Sequence, residues 1–231
     1  MTTFTRMLLN PNKRSGRKLL LDPQSMHAAV RGAFPPDLDP SQGRVLWRVD
    51  SNGHEHVLYV VGPEAPDMTR IMEQAGWPTR LPETADYDRM LKRLQTGQEW
   101  GFRLRGNPVQ SKKVDPTHGV RGRVVPHVSV RYQLEWLSKK ADQGGFELIR
   151  QDASDPESEL ARVTSRNTLD FRRRDPNLER FGHVTISAVE FEGALRVTDA
   201  QLLRSALVQG IGRSKAYGCG LLTLARRAST S

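Results

Sequence analysis

Residues 44–61 read Arg44-Val45-Leu46-Trp47-Arg48-Val49-Asp50-Ser51-Asn52-Gly53-His54-Glu55-His56-Val57-Leu58-Tyr59-Val60-Val61. Two strand-like runs, 44–49 and 56–61, flank Asp50-Ser51-Asn52-Gly53. Asn-Gly is the strongest short hairpin signal, because its backbone readily takes the positive φ of a tight turn. Upstream, residues 2–9 read as a short strand. Residues 10–18 read as a basic loop carrying Lys13, Arg14, Arg17 and Lys18. Asp22-Pro23 then opens a helix, with Asp as N-cap and Pro at the first helical position. Met26, Ala29, Val30 and Ala33 form one apolar stripe, and Pro35-Pro36 stops the helix. Downstream, residues 67–75 predict a second helix, 78–86 a Pro-rich connection and 87–94 a short helix. The order is β-α-β-β-α.

The second half repeats this order loosely. A strand is clear at 100–105, where Phe102 and Leu104 alternate with Arg103 and Arg105. Pattern alone does not say whether it closes the first unit or opens the second. Residues 110–121 read as a polar, basic loop, 123–126 as extended, 128–141 as a helix and 146–149 as strand. A loop at 151–162 precedes two long extended runs, 162–171 and 183–197. Between these runs lie Arg172, Arg173, Arg174, Asp175, Pro176 and Asn177, the tip of a long cationic hairpin. Residues 199–207 predict a helix, 210–220 a glycine-rich loop and 221–225 a last strand. Strand, helix, two strands, helix, strand is the split βαβ order of a ferredoxin-like unit. The expected fold class is α+β, with two such units in tandem.

The chain has 231 residues, room for one large domain or two of about 100 residues. Its 37% apolar content favours two thin units. The net charge is +9, and it is uneven: residues 1–95 hold 13 basic and 11 acidic side chains, residues 96–231 hold 22 and 15. Such a balance fits a polyanion partner met mainly by the second half, or plain solubility. Cys219 is the one cysteine, which excludes an intrachain disulfide. The first twenty residues lack the apolar run of a secretory signal, and no stretch approaches the roughly 18 apolar residues of a membrane helix. A cytoplasmic protein is expected.

Three segments resemble a known family. The run Leu207-Val208-Gln209-Gly210-Ile211-Gly212-Arg213-Ser214-Lys215-Ala216-Tyr217-Gly218-Cys219-Gly220-Leu221-Leu222-Thr223-Leu224 resembles the C-terminal glycine-rich signature of the CasE family. These proteins are the RNA-processing subunits of type I-E CRISPR Cascade, within the RAMP superfamily. Phe102-Arg103-Leu104-Arg105-Gly106-Asn107-Pro108-Val109 resembles the first strand of that family's second domain. Asn10-Pro11 with Met26-His27 resembles its N-terminal pattern. The resemblance implies a metal-independent endoribonuclease without a cofactor, monomeric when free. Its RNA would be bound by the second domain and cut between the two. It also implies a boundary after residue 95, with 1–95 carrying a catalytic histidine and 96–231 the RNA-binding surface. The implied partners are CRISPR repeat RNA and the other Cascade subunits.

RNA carries its own nucleophile, the 2′-OH beside the scissile phosphate. An imidazole suits the proton transfers because its ordinary pKa, about 6.5, lies near working pH. His27 stands off the apolar stripe of its helix, on a polar face with Gln24 and Arg31. Position alone also fits a solvent-facing histidine; the resemblance makes it the catalytic one. Family members often carry tyrosine where this chain has Gln24, and glutamine neither ionises nor stacks readily. Arg31, or a base among Lys13, Arg14, Arg17 and Lys18, is a candidate to stabilise the pentavalent phosphate. Gly210 and Gly212 would let backbone approach a phosphate beside Arg213 and Lys215, or simply make a helix-to-strand turn. Neither a P-loop nor a dinucleotide fingerprint is present. Arg172, Arg173 and Arg174 are the expected readers of the RNA stem, whose deep major groove only a projecting hairpin reaches. Lys112, Lys113, Arg121 and Arg123 are expected on backbone phosphates, and Arg103 and Arg105 beside the strand. His54 and His56 lack further ligands at suitable spacing, so no metal site is expected.

Overall fold

The computed structural model describes residues 1–38, 43–112, 123–150, 161–174 and 181–227. The first sheet contains β1 (Thr3–Leu9), β2 (Leu46–Asn52), β3 (Glu55–Gly62) and β4 (Glu83–Asp86). Their order is β2-β3-β1-β4, every pair antiparallel. This is the ferredoxin-like arrangement. Along β1, Thr3, Thr5, Met7 and Leu9 are buried and alternate with more exposed neighbours. That period of two gives the sheet one covered face. Helices α1 (Arg14–Leu21), α2 (Pro23–Arg31) and α3 (Thr69–Ala75) follow β1 and β3. Met26, Val30, Ile71 and Ala75 close one core with Met7, Leu9 and Leu58.

Two expectations are corrected here. The basic loop at 10–18 is a helix from Arg14 onward. Its cations face outward while Leu19 and Leu20 reach the core, and Gly16 lets the turn press against Asn10; a Cβ there would stand 1.9 Å from the Asn10 carbonyl. The Pro-rich connection ends in β4, which pairs with β1 through Thr3↔Asp86 to Arg6↔Glu83. A four-residue edge strand among prolines leaves little periodicity to read.

The second sheet has the order β11-β5-β10-β8, from β5 (Glu99–Gly106), β8 (Phe146–Leu148), β10 (Phe181–Val197) and β11 (Leu222–Ala225). Helices α5 (Val130–Gln143) and α6 (Ala200–Gln209) occupy the two crossover positions. This is again the ferredoxin-like order. The strand at 100–105 therefore opens the second unit. A further strand, β9 (Arg162–Arg174), pairs with β10 on the edge that β8 uses lower down. β10 meets β5 only from Val189 onward, so its first eight residues and their β9 partners overhang the sheet. At about 3.3 Å per residue this arm reaches about 25 Å. The expected polar loop at 110–121 begins instead with β6 (Val109–Lys112), paired with β7 (Arg123–Pro126) as a separate two-stranded ribbon.

The two units are not two independent thin layers. Leu46 and Val61 of the first sheet, and Tyr87, Leu91 and Leu94 after it, share one core with Phe102, Leu104, Leu137 and Phe191 of the second. Tyr87 precedes the short helix α4 (Asp88–Leu91) and Leu91 ends it. Arg204 on α6 donates to the carbonyls of Leu91 (2.8 Å) and Leu94 (2.6 Å). Arg48 on β2, 1% exposed, donates to the carbonyls of Arg103 and Leu221, both 2.8 Å, and to Thr223 Oγ1 at 2.8 Å. Asp50 pairs with the same guanidinium. A buried charge with every donor matched fixes one sheet against the other.

Candidate functional site

His27 lies in the second turn of α2, whose start is firmly set. Asp22 accepts hydrogen bonds from the backbone N–H of Gln24 (3.0 Å) and Ser25 (3.2 Å), and from the Ser25 hydroxyl (2.5 Å). Met26 and Val30 anchor the helix from below, so His27 and Arg31 emerge on its flank, both half-buried.

What faces this flank is the glycine-rich loop of the second unit. The loop leaves α6 at Gly210 (φ 74°), passes Ser214 (φ 60°), makes a single 3-10 turn over Lys215–Tyr217 and leaves through Gly218 (φ 76°). Ser214 is the one non-glycine residue with positive φ among those described. The Asn107 side-chain amide holds it by donating to its hydroxyl at 2.8 Å. Trp47 of the first unit donates its indole N–H to the Ala216 carbonyl at 3.2 Å. The backbone N–H of Gly220 donates to the Arg105 carbonyl at 2.7 Å. Tyr217 thereby comes to rest with its ring centroid 6.2 Å from that of His27.

A cavity of about 410 Å³ opens beside the imidazole, lined by His27, Val30, Arg31, Arg44, Val45 and Gln209 among others. Arg31 also donates to the carbonyls of Pro35 (3.1 Å) and Pro36 (3.4 Å), which ties down the chain leaving α2. Lys215 donates to the Gln209 carbonyl at 2.7 Å, at the C-terminal end of α6. Burial, and then the charges of Arg44 and Lys140, hold its ammonium below the usual lysine range. Three cations, Arg31, Arg44 and Lys215, therefore gather where α2 meets the loop. Such a site suits a transition state that gains negative charge.

The sequence candidates divide into groups. His27 and Arg31 line the cavity; Gln24 does not, and its half-buried side chain leaves Oε1 without a donor among the described residues. Lys13, Arg14, Arg17 and Lys18 are not in the cavity. They ride α1 on the other flank of α2, where Lys18 shares a separate pocket with Ser25, Ala28 and Ala29. Lys13 donates to the Glu73 carbonyl at 2.9 Å. Gly210 and Gly212 have a packing reason to be glycine: a Cβ would come within 2.8 Å of Leu46 and 2.9 Å of Trp136 respectively. Arg213 is exposed beside them. Arg172 is exposed near the end of the arm, in register with His183, while Arg173 and Arg174 pair through their backbones with Gly182 and Phe181. Lys112 and Arg123 stand opposite each other in the β6–β7 ribbon. Lys113, Arg121 and the tip residues 175–180 lie outside the described residues. Arg103 bridges Asp50 and Glu192, which makes it internal structure rather than a free cation. His56 shares a hydrogen bond of 2.8 Å with Ser51. No three metal-binding side chains gather among the described residues.

Neither Tyr217 nor Arg44 was a sequence candidate, and neither carries a local signal: Tyr217 is buried and meets His27 only across the two units, and Arg44 reaches the cavity wall from the connection just ahead of β2.

A family model described as CRISPR associated protein matches residues 4–226. The CRISPR-associated endoribonuclease Cse3 of Thermus thermophilus is 30% identical over 224 residues, covering 96% of this chain and 99% of that protein. The CRISPR system Cascade subunit CasE of Escherichia coli is 31% identical over 195 residues, covering 78% of this chain and 88% of its own. The solved structure of CRISPR endoribonuclease Cse3 bound to a 19-nucleotide RNA superposes with a TM-score of 0.76 at 27% identity, covering 97% of this chain and 99% of the other.

Proposed function

The chain belongs to the CRISPR-associated protein family, and from that premise we propose that it is an endoribonuclease that cuts CRISPR repeat RNA at the 3′ foot of its hairpin. The relatives named as endoribonuclease Cse3 and Cascade subunit CasE support the activity and the partners. One observation carries the assignment of the site. His27 of the first unit meets Tyr217 of the second unit's glycine-rich loop, and beside that contact opens a cavity with Arg31, Arg44 and Gln209, the last residue of α6, on its wall.

In this reading the 2′-oxygen attacks the adjacent phosphorus in line. A proton leaves the 2′-OH, the P–O5′ bond breaks and the 5′-oxygen gains a proton. The products are a 2′,3′-cyclic phosphate upstream and a 5′-OH downstream. His27 serves one or both proton transfers, and Arg31 and Arg44 stabilise charge on the phosphorane. No metal takes part. Arg172, Arg173 and Arg174 on the arm and Lys112 and Arg123 on the β6–β7 ribbon, together with Lys113 and Arg121, which lie outside the described residues, hold the stem. Arg213 and Lys215, beside Gly210 and Gly212, face the phosphate near the cut, with Lys215 also holding the end of α6. Lys13, Arg14, Arg17 and Lys18 take the flanking strand. The division is 1–95 and 96–231, between the last strand of one sheet and the first of the other. The enzyme works in the cytoplasm as a monomer, keeps its product and carries it into Cascade.

Gln24 favours a second reading, a non-catalytic RNA-binding subunit on the same fold, because it stands where the family often has tyrosine. One experiment separates the two. The protein is incubated in EDTA with repeat RNA, with the same RNA carrying a 2′-deoxyribose at the cut, and as the His27→Ala variant. Cleavage by wild type of the ribose substrate alone is expected, with all three combinations binding. Binding without cleavage by wild type selects the scaffold, and loss of cleavage in EDTA contradicts a metal-free route.

A further inference from the structure

Tyr217 stands between the RNA-holding arm and the imidazole. Its side chain is 9% exposed, its ring centroid lies 4.6 Å from that of Phe171 at 55°, and 6.2 Å from that of His27 at 57°. Both are the tilted arrangement that aromatic quadrupoles favour. Phe171 belongs to β9 and immediately precedes Arg172, so one neighbour of Tyr217 is the cationic arm itself. Leu169, Val184, Ile186 and Ala188 complete the apolar seat in which the arm meets Tyr217 and Cys219. His27, on the other side, belongs to the first unit.

The backbone beneath Tyr217 has little freedom. Left-handed Ser214 and Gly218 bracket its 3-10 turn. Asn107 and Trp47 hold the turn by hydrogen bonds, and a Cβ on Gly218 would come within 2.7 Å of the Trp47 ring. A residue needed only to fill the core of the second unit would not require this fixed presentation toward a helix of the first. We infer that Tyr217 is a positioning residue that sets the plane of the His27 imidazole and couples it, through Phe171, to the middle of the arm. RNA seated on the arm then meets a proton-transfer group already aimed. The inference rests on the catalytic reading of His27 given above. It assigns the work to the ring rather than to the hydroxyl, so phenylalanine should replace tyrosine without loss.

The test uses the full chain with the repeat RNA of its own CRISPR array. Single-turnover cleavage, affinity for the uncleavable 2′-deoxy RNA, and the His27 Cε1–H resonance of the RNA-free protein are measured in Tyr217→Phe, Tyr217→Leu, Phe171→Leu and His27→Ala. Tyr217→Phe should keep the wild-type rate and resonance. Tyr217→Leu should lose about tenfold to a hundredfold in rate, the scale of a misplaced reacting group. Its affinity should stay within about twofold, and its imidazole resonance should move as the ring current disappears. Phe171→Leu should change rate and resonance in the same direction by less. A Tyr217→Leu protein that cuts at the wild-type rate overturns the inference. So does a Tyr217→Phe protein as slow as Tyr217→Leu, which would give the hydroxyl a direct part. If Tyr217→Leu does not fold, Phe171→Leu decides: an unmoved resonance with an unchanged rate overturns the coupling. His27→Ala that still cuts removes the catalytic reading instead, a failure distinct from the others.

Discussion

Arg48 holds two pieces of backbone from the second unit, the carbonyls of Arg103 and Leu221, while standing on a strand of the first. Removing one member of a buried, hydrogen-bonded ion pair leaves the rest uncompensated, at about 3–5 kcal/mol. Arg48→Ala should therefore lower the unfolding free energy by that amount, seen as a lower urea midpoint at unchanged slope, with cleavage chemistry unchanged in whatever fraction stays folded, as denaturation followed by tryptophan fluorescence would report. Lysine should not rescue it, because one ammonium cannot serve carbonyls, hydroxyl and carboxylate at fixed angles. Nothing in the sequence announced this residue: a single arginine in an alternating strand reads as its exposed face. Cys219 behaves oppositely. Burial raises its thiol to about 11. It should stay protonated and unmodified by iodoacetamide at pH 8, and become reactive only when denaturant is added, as mass spectrometry would show.

At the scale of elements, α2 depends on its first turn. Asp22→Ala removes the acceptor for the Gln24 and Ser25 backbone N–H groups and should cost about 1 kcal/mol, seen as a lower Tm. That cap was readable in the sequence, since Asp-Pro ahead of an apolar stripe has only one common meaning. The hairpin around Asn52-Gly53 and both long helices of the second unit were readable for similar local reasons. The helix α1 was not, because Asn10-Pro11 and Gly16 are breakers in isolation and become acceptable only once Ala75 and Asn10 are brought together in space. The arm was legible as a hairpin, but the eight-residue overhang depends on where β5 stops. Replacing Arg172, Arg173 and Arg174 by alanine should weaken repeat binding and reduce the slope of log K against log salt by about 2–3, measured by filter binding across a salt series.

Across the whole molecule, the two ferredoxin-like units share a core, so they should not unfold apart. Tyr87, Leu91 and Leu94 leave the first sheet only to pack among residues of the second. A single calorimetric transition is expected for the full chain, and residues 96–231 produced alone should bind hydrophobic dye and melt without cooperativity. The element order predicted the two sheets; it had no means of predicting that their cores would merge, because that depends on side chains far apart in the chain. The candidate site was legible to the same degree. His27 and the glycine loop were each visible, whereas Tyr217 gained meaning only from the meeting of the units and Arg44 only from the cavity it shares with His27.

The overhang of β10 also sets a rule for how such a protein can diversify. Because the arm is the free end of a central strand, residues added or removed at its far end leave the sheet below untouched. They must come in matched numbers on the two strands, and in twos if each face of the ribbon is to keep its character, since a step of one turns every following side chain over. The arm is thus a length that evolution can adjust in increments of about 7 Å, changing how far it projects without renegotiating the fold that carries it.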